Sequence, residues 1–288
     1  MEANVHILFS SDHYEIYDFR CLCNECTRSR VEYNEHLSLS FIRSGNFYYN
    51  AFNDKLDSYT GSVLISKAGY DYTVTHQGNI PDECTIIIFK RSFYEDIEEQ
   101  LQLKANWFFS NKDMQSLLLK TNPEIEQLHY TLLQATKQKQ PYKLELDTIV
   151  MEIVEKILLG FTDYEWPQGL SAKLKKHHLT TIEKAKHYIN ENLSKNISLE
   201  ELAAHCCISP FHFSRIFKTF TGYAVHQYLQ LMRLKHAQIL LTTHLPVADI
   251  AFQSGFNSLD YFSSAFKKEY KLSPSAFRTS QKTARFHK

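Results

Sequence analysis

The sequence predicts an α+β chain: a small antiparallel β domain with helices, followed by an all-α domain built around two helix-turn-helix units. Three observations carry this. The hydrophobic period is two up to about Phe93 and three to four beyond it. Residues 1–170 carry 15 Lys and Arg against 25 Asp and Glu, while residues 171–288 carry 17 against 7, a basic half of the kind that meets nucleic acid. Residues 198–278 contain, twice over, a short helix, a tight turn and a second helix. A chain of 288 residues is long enough for two cores.

Taken in order, VHILFS and YEIYDF at 5–10 and 14–19 read as strands. RCLCNECTRSR, polar and rich in cysteine, does not read as a packed strand. HLSLSFIRSG alternates apolar and polar residues, NFYYNAF follows Gly45, and Ser44-Gly45-Asn46 reads as a hairpin turn. TGSVLIS, DYTVTH and CTIIIF complete about six short strands in a barrel or sandwich. Helical spacing then takes over in SFYEDIEEQLQL, PEIEQLHYTLLQATKQ and YKLELDTIVMEIVEKILLGF. Pro123 and Pro141 stand near the starts of the last two, where a missing N–H costs nothing. The broad apolar faces of these helices read as intrachain core, with a dimer contact for the remainder. Trp166-Pro167 and Gly169 break the helix, which places the domain boundary near 168–176. The expected division is 1–105 barrel, 106–168 helical dimerisation and connecting region, 169–288 helix-turn-helix domain. No apolar run is long enough to span a bilayer and no signal peptide is evident, so the expected location is the cytoplasm without membrane contact.

In the basic half, Ser198 with Glu201 forms a capping box and Leu199, Leu202 and Ala203 give the first scaffold helix its stripe. Ser209-Pro210 starts the first reading helix, with an N-cap serine and proline at the first helical position. Phe213, Ile216, Phe217 and Phe220 have inward spacing; Phe211, Ser214, Arg215 and Lys218 share the opposite face. Arg215 has the reach for a bidentate contact to a guanine edge, and Lys218 stands further along, toward phosphate. In an isolated helix, Phe211 reads better as core and Arg215 as a solvated charge; the repeated helix-turn-helix context reverses that preference. Gly222 stops the helix. A long helix follows, with Arg233 and Lys235 expected near phosphate or solvent. The second unit has Gly255 in its turn and Asn257 or Ser258 as cap. Phe262, Phe266 and Tyr270 face inward, and Asp260, Ser263, Ser264 and Lys267 outward. The readers are therefore unequal: the second shows an acid and serines where the first shows Arg215, with Lys267, Lys268 and Lys271 for backbone contacts.

The spaced motifs S-x-x-x-L-A at 198–203, S-P-F-H-F-S-R-I-F-K at 209–218, T-G at 221–222, R-L-x-x-A at 233–237, I-A-F-x-S-G-F at 250–256, Y-F-S-x-x-F-K at 261–267 and S-P-S-A-F-R at 273–278 closely resemble the DNA-binding domain of the AraC/XylS family of bacterial transcription regulators. The resemblance covers about 100 residues. It implies two readers entering successive major grooves, with base contacts from Phe211, Ser214 and Arg215 in the first and from Asp260 and Ser264 in the second. The family commonly has Arg where Ser264 stands. The N-terminal half resembles, by strand pattern, the family's cupin-like sensing barrel. That implies a small-molecule effector, a homodimer and, as partners, double-stranded DNA and RNA polymerase. His36 and His76 stand apart in the sequence, which does not support a catalytic cupin metal site.

Cys21, Cys23 and Cys26 form C-x-C-x2-C, and Cys84 precedes an apolar run. Four thiolates suit zinc, or a redox site; the alternative is free loop cysteines unrelated in space to Cys84. Cys206 and Cys207 read as small apolar residues. The resulting expectation is a regulator, not an enzyme, whose barrel senses an effector, metal or redox state. A second possibility is an adaptive-response-like regulator in which an N-terminal cysteine accepts a methyl group from damaged DNA.

Overall fold

The structure, a computed structural model, describes residues 3–22, 28–52, 54–76, 81–100, 103, 106–161 and 170–286. The strands are β1 (Ala3–Ser10), β2 (Tyr14–Cys21), β3 (Glu32–Asn34), β4 (Ser38–Ser44), β5 (Asn46–Ala51), β6 (Asp54–Tyr59), β7 (Ser62–Ser66), β8 (Tyr70–His76), β9 (Glu83–Phe89) and β10 (Ser116–Lys120). They form two antiparallel sheets, in the orders β1-β2-β9-β4-β7-β10 and β3-β8-β5-β6. Ile42, Leu64, Cys84 and Leu118 of the first sheet pack with Phe47, Tyr49, Ala51 and Leu56 of the second into one buried cluster. Alternation along each strand supplies these residues to one face.

Two differences from the sequence reading concern this sheet pair. Ser44-Gly45-Asn46 is not a hairpin turn. β4 pairs with β7 and β9, while β5 pairs with β6 and β8, so the chain changes sheets at Gly45. Gly45 has φ +78°, and a Cβ there would stand 2.6 Å from the Pro81 carbonyl oxygen and 2.8 Å from Asp82 Cα, so only glycine admits both the turn and the neighbour. The β6–β7 link at Thr60-Gly61 is a second such corner. The Glu183 carboxylate binds both, accepting from the Gly45 N–H at 2.8 Å and the Thr60 hydroxyl at 2.6 Å. The second difference is β10, which falls where helical spacing was expected. SLLLK is too short and too apolar for periodicity to separate the two states, and it pairs with the edge of β7.

The helices are α1 (Arg91–Gln100), α2 (Trp107–Ser110), α3 (Pro123–Thr136), α4 (Lys143–Leu159), α5 (Ala172–Glu191), α6 (Leu199–His205), α7 (Pro210–Thr221), α8 (Val225–Leu240), α9 (Val247–Gln253), α10 (Leu259–Tyr270) and α11 (Pro274–Phe286). The chain divides into two compact units, residues 1–122 with 131–183, and residues 123–130 with 184–288. Residues 123–130 join the second unit through two carboxylates. Glu126 binds Lys186 at 2.7 Å and the Tyr228 hydroxyl, and Glu124 lies 3.4 Å from the Lys235 ammonium. Among the described residues no helix is long and apolar enough to cross a membrane.

Candidate nucleic-acid interface

The helices of the second unit start and stop where their end residues dictate. Ser198 Oγ accepts from the Glu201 N–H at 3.1 Å while the Glu201 carboxylate reaches back to the Ser198 N–H, the reciprocal capping box that sets the start of α6. Ser209 caps α7, with Pro210 at its first turn, and Gly222, at φ +86°, ends it. Ser258, not Asn257, caps α10 by accepting from the Tyr261 N–H at 3.2 Å. Each such cap is worth about 1 kcal/mol.

Packing then fixes which face each reader presents. Phe213, Ile216, Phe217 and Phe220 are buried, and Phe217 meets the Tyr228 ring of α8 edge-on at 5.1 Å. Phe262, Ala265 and Phe266 of α10 join Leu234, Ala237, Leu241, Ile250, Ala251 and Phe256 in a second cluster. Burying side chains of this size stabilises by about 1.5–3 kcal/mol each, so neither helix can roll without exposing its core stripe. The opposite faces stay in water. On α7, Phe211 is 81 % exposed, Arg215 and Lys218 are exposed and Ser214 is partly so. On α10, Asp260, Ser264 and Lys267 are exposed, as is the cap Ser258.

Counted from the two N-cap serines, the readers align step for step: Phe211 with Asp260, Ser214 with Ser263, Arg215 with Ser264, Lys218 with Lys267. The same alignment sets His212 against Tyr261, which is 49 % exposed and which sequence reasoning passed over. Its position relative to the Ser258 cap was the available signal.

Two basic residues do not stand where the sequence placed them. Lys235 is 1 % exposed; its ammonium pairs with Glu124 and Gln238, at 3.4 and 2.7 Å. Arg233 donates through Nε to the Leu193 carbonyl at 3.0 Å and through Nη2 to the Lys195 carbonyl. Both are consumed inside the unit, because α8 is packed on more than one side and its long cations must find acceptors there. Lys271, the left-handed C-cap of α10, is exposed like Lys267 and Lys268, and its ammonium donates to the Lys268 carbonyl at 2.9 Å.

In the first unit, Cys21 and Cys84 are buried, at 5 and 3 % exposure. Cys23 and Cys26 lie outside the described residues. Burial and the Asp82 carboxylate raise the Cys84 thiol well above its ordinary range. His76, separated from the cysteines in sequence, ends β8 with its imidazole on Asp82. His36 lies between β3 and β4, 4.0 Å from Glu35. The tyrosines of the sheets are occupied with each other: Tyr49 stacks on Tyr72 at 4.8 Å, and Tyr70 is bonded to Tyr49 at 3.3 Å and Ser116 at 2.7 Å. A small cavity of about 20 Å³ lies elsewhere in this unit. It is lined by apolar side chains that include Leu39, Ile65, Phe89, Phe109, Val154 and Phe161.

Residues 202–280 match a family described as a helix-turn-helix domain. The regulatory protein PocR of Salmonella typhimurium is 33 % identical over 102 residues, 35 % of this chain and 34 % of PocR. The arabinose operon regulatory protein of Escherichia coli is 35 % identical over 99 residues, 34 % of each chain. The chain thus covers about a third of the length of these curated relatives. Among solved structures, ToxT of Vibrio cholerae with an unsaturated fatty acid bound aligns over 93 % of this chain and 95 % of its own, at 14 % identity and a TM-score of 0.41. The capped, paired units of α6–α7 and α9–α10 define a helix-turn-helix DNA-binding domain. That domain is of the AraC/XylS type, the family of transcription regulators to which its relatives belong.

Proposed function

We propose that the whole chain is a sequence-specific transcription regulator that binds double-stranded DNA through α7 and α10 and takes a small effector in its first unit. The observation that carries this is the step-for-step alignment of two exposed reading faces, each held by its own aromatic core. Arg215 donates to a guanine edge, Ser214 and Phe211 contact neighbouring bases, and Lys218 and Lys267 hold phosphates. Ser258, Asp260 and Ser264 line the weaker second contact. Two helix-turn-helix units address major grooves about one helical turn apart.

For the effector, the apolar lining of the small cavity suits a hydrophobic molecule over a sugar, and its entry requires the lining side chains to part, since the cavity as it stands has room for about one water. The two antiparallel sheets fit a cupin-like barrel for residues 1–105. Residues 106–168 serve dimerisation, where Tyr142 and Leu144, 65 and 63 % exposed at the start of α4, offer apolar surface. RNA polymerase is the further partner of this reading. The burial of Cys21 and Cys84 gives no support to methyl acceptance from DNA by either, since that step needs an accessible thiolate.

Selection of random duplexes by the full chain, followed by footprinting, tests the proposal. The expected result is one enriched sequence protected across two adjacent major grooves. Recovery of unenriched DNA, bound only through a salt-dependent, sequence-independent contact, would overturn it.

A further inference from the structure

Four ligand-type side chains from separate parts of the sequence meet in the first unit. Cys21 ends β2, His76 ends β8, Asp82 directly precedes β9, and Cys84 is the second residue of β9. The ligand atoms of Cys21, His76 and Asp82 all lie within 4.8 Å of one another. Cys84 Sγ lies 3.6 Å from Asp82 Oδ2, and the His76 imidazole is on Oδ1 of the same carboxylate. The group is dry: Cys21, Asp82 and Cys84 are 5, 3 and 3 % exposed, and the His76 side chain is 3 % exposed.

We propose that Cys21, His76, Asp82 and Cys84 form a closed, four-coordinate site for a zinc-class divalent ion. Tetrahedral bonds of about 2.0–2.3 Å separate ligand atoms by about 3.3–3.8 Å, so Cys21, His76 and Asp82 draw in by up to about 1–1.5 Å on binding, and Cys84, which meets the group at Asp82, turns toward the ion. Two sulfurs, an imidazole and one carboxylate are a borderline-soft set that selects zinc over magnesium or calcium. Burial on all sides leaves no place for a bound water, which makes the site structural. Binding replaces the two thiol protons by the ion and releases them to solvent, leaving three anionic ligands around a doubly charged cation. Arg43 borders the site, its Nη2 donating to the Cys84 carbonyl at 3.2 Å while pairing with Asp18 and lying 3.8 Å from Glu83.

The surroundings are built to hold these ligands. The Cys21 N–H donates to the Asp82 carbonyl at 2.9 Å, which ties the end of β2 to the start of β9. Phe47 packs edge-on to the His76 ring at 6.5 Å. Gly45 lets the Pro81–Asp82 backbone pass against the sheet corner, and Glu183 holds the N–H of that same glycine. A cation here fastens β2, β8, β9 and that corner at one point. A buried Asp–His pair alone would need neither thiol. One ion ties the Asp82–His76 pair to the two buried thiols. The site is independent of the DNA-reading proposal.

The test uses the full chain purified under reductant. Elemental analysis should find about one zinc per chain. After chelation, cobalt(II) should restore a thiolate-to-cobalt charge-transfer band in the near ultraviolet. His76→Gln and Cys84→Ser should each weaken zinc binding at least about tenfold, while Cys207→Ser, at an exposed position, leaves it unchanged. The readouts on the unmutated chain stand even if a variant fails to fold. A folded wild-type chain that takes up no zinc, a cobalt complex without the thiolate band, or full zinc affinity in both His76→Gln and Cys84→Ser would each overturn the proposal.

Discussion

Arg215 of α7 and Ser264 of α10 occupy the same position relative to their N-cap serines, and both side chains are exposed. One reader therefore presents a planar five-donor fork at the point where the other presents a single hydroxyl. The difference in chemistry predicts a difference in readout. Arg215→Ala should lower discrimination at one base pair by about 1–3 kcal/mol. Ser264→Ala should lower it by less than about 1 kcal/mol, the net worth of a neutral hydrogen bond. Competition binding against single-base variants of the selected site measures both. Equal losses would show that the two readers contribute alike.

Lys218 and Lys267 stand one above the other in the same alignment, past the base-reading positions. As phosphate contacts they carry no sequence information. Replacing either with alanine should weaken binding to all duplexes by a similar factor. It should also reduce the slope of log affinity against log salt by about 1. Titrations at several salt concentrations, on the selected site and on a scrambled one, separate this from a base contact, which would change the ratio between the two.

The reading faces were legible because local signals place them. A serine cap, a following proline or capping box, and aromatic residues at helical spacing leave each of those short helices one orientation. The same reasoning misplaced Lys235 and Arg233, since α8 buries more of its surface than an amphipathic pattern implies. Their acceptors, Glu124 and the carbonyls of Leu193 and Lys195, belong to other segments. The metal cluster lies further from local reach. Cys21 and Cys84 could be linked by type, but His76 and Asp82 enter through the pairing of β8 with β5 and of β2 with β9, and through the sheet change at Gly45. Reading that corner as a hairpin would have paired β4 with β5.

Lys235 is the most deeply buried cation of the second unit, and its partner Glu124 keeps a quarter of its side chain exposed. Breaking a fully buried pair costs about 3–5 kcal/mol. With Glu124 partly exposed to water the expected loss for Lys235→Ala is about 2–3 kcal/mol, of which lost packing of the aliphatic stem is a part. Lys235→Met, which keeps that stem, should recover more than half of the loss. Urea denaturation of each variant measures it, and equal stabilities for alanine and methionine would assign the whole effect to charge.

His236, half-buried on α8, has its imidazole pushed below the ordinary value of 6.5 by desolvation. The fold thus favours the neutral ring, and the unfolded chain takes up the proton first as pH falls. The stability this group contributes is complete above about pH 6.5 and declines below it, toward the depressed folded value. His236→Gln should flatten the pH dependence of the urea midpoint between about pH 7.5 and 5.5. An unchanged profile would assign the acid sensitivity to other groups.

Gly255 turns the chain between α9 and α10 at φ +85°, and an added Cβ would stand 2.4 Å from the Leu193 carbonyl oxygen and 2.6 Å from Arg233 Nε. Two costs coincide there. An L-residue in the left-handed region is strained by about 1–2 kcal/mol. The contact also falls on the carbonyl that accepts from Arg233, so relief by movement would break that bond. Gly255→Ala should therefore destabilise the second unit by more than about 2 kcal/mol, combining the strain and the hydrogen bond. Arg233→Ala on the same background separates the two terms. If the turn yields by moving Arg233, the double variant should cost little more than Gly255→Ala alone. If the clash with the Leu193 oxygen dominates, the two losses should add. Thermal unfolding of the three variants gives the answer directly.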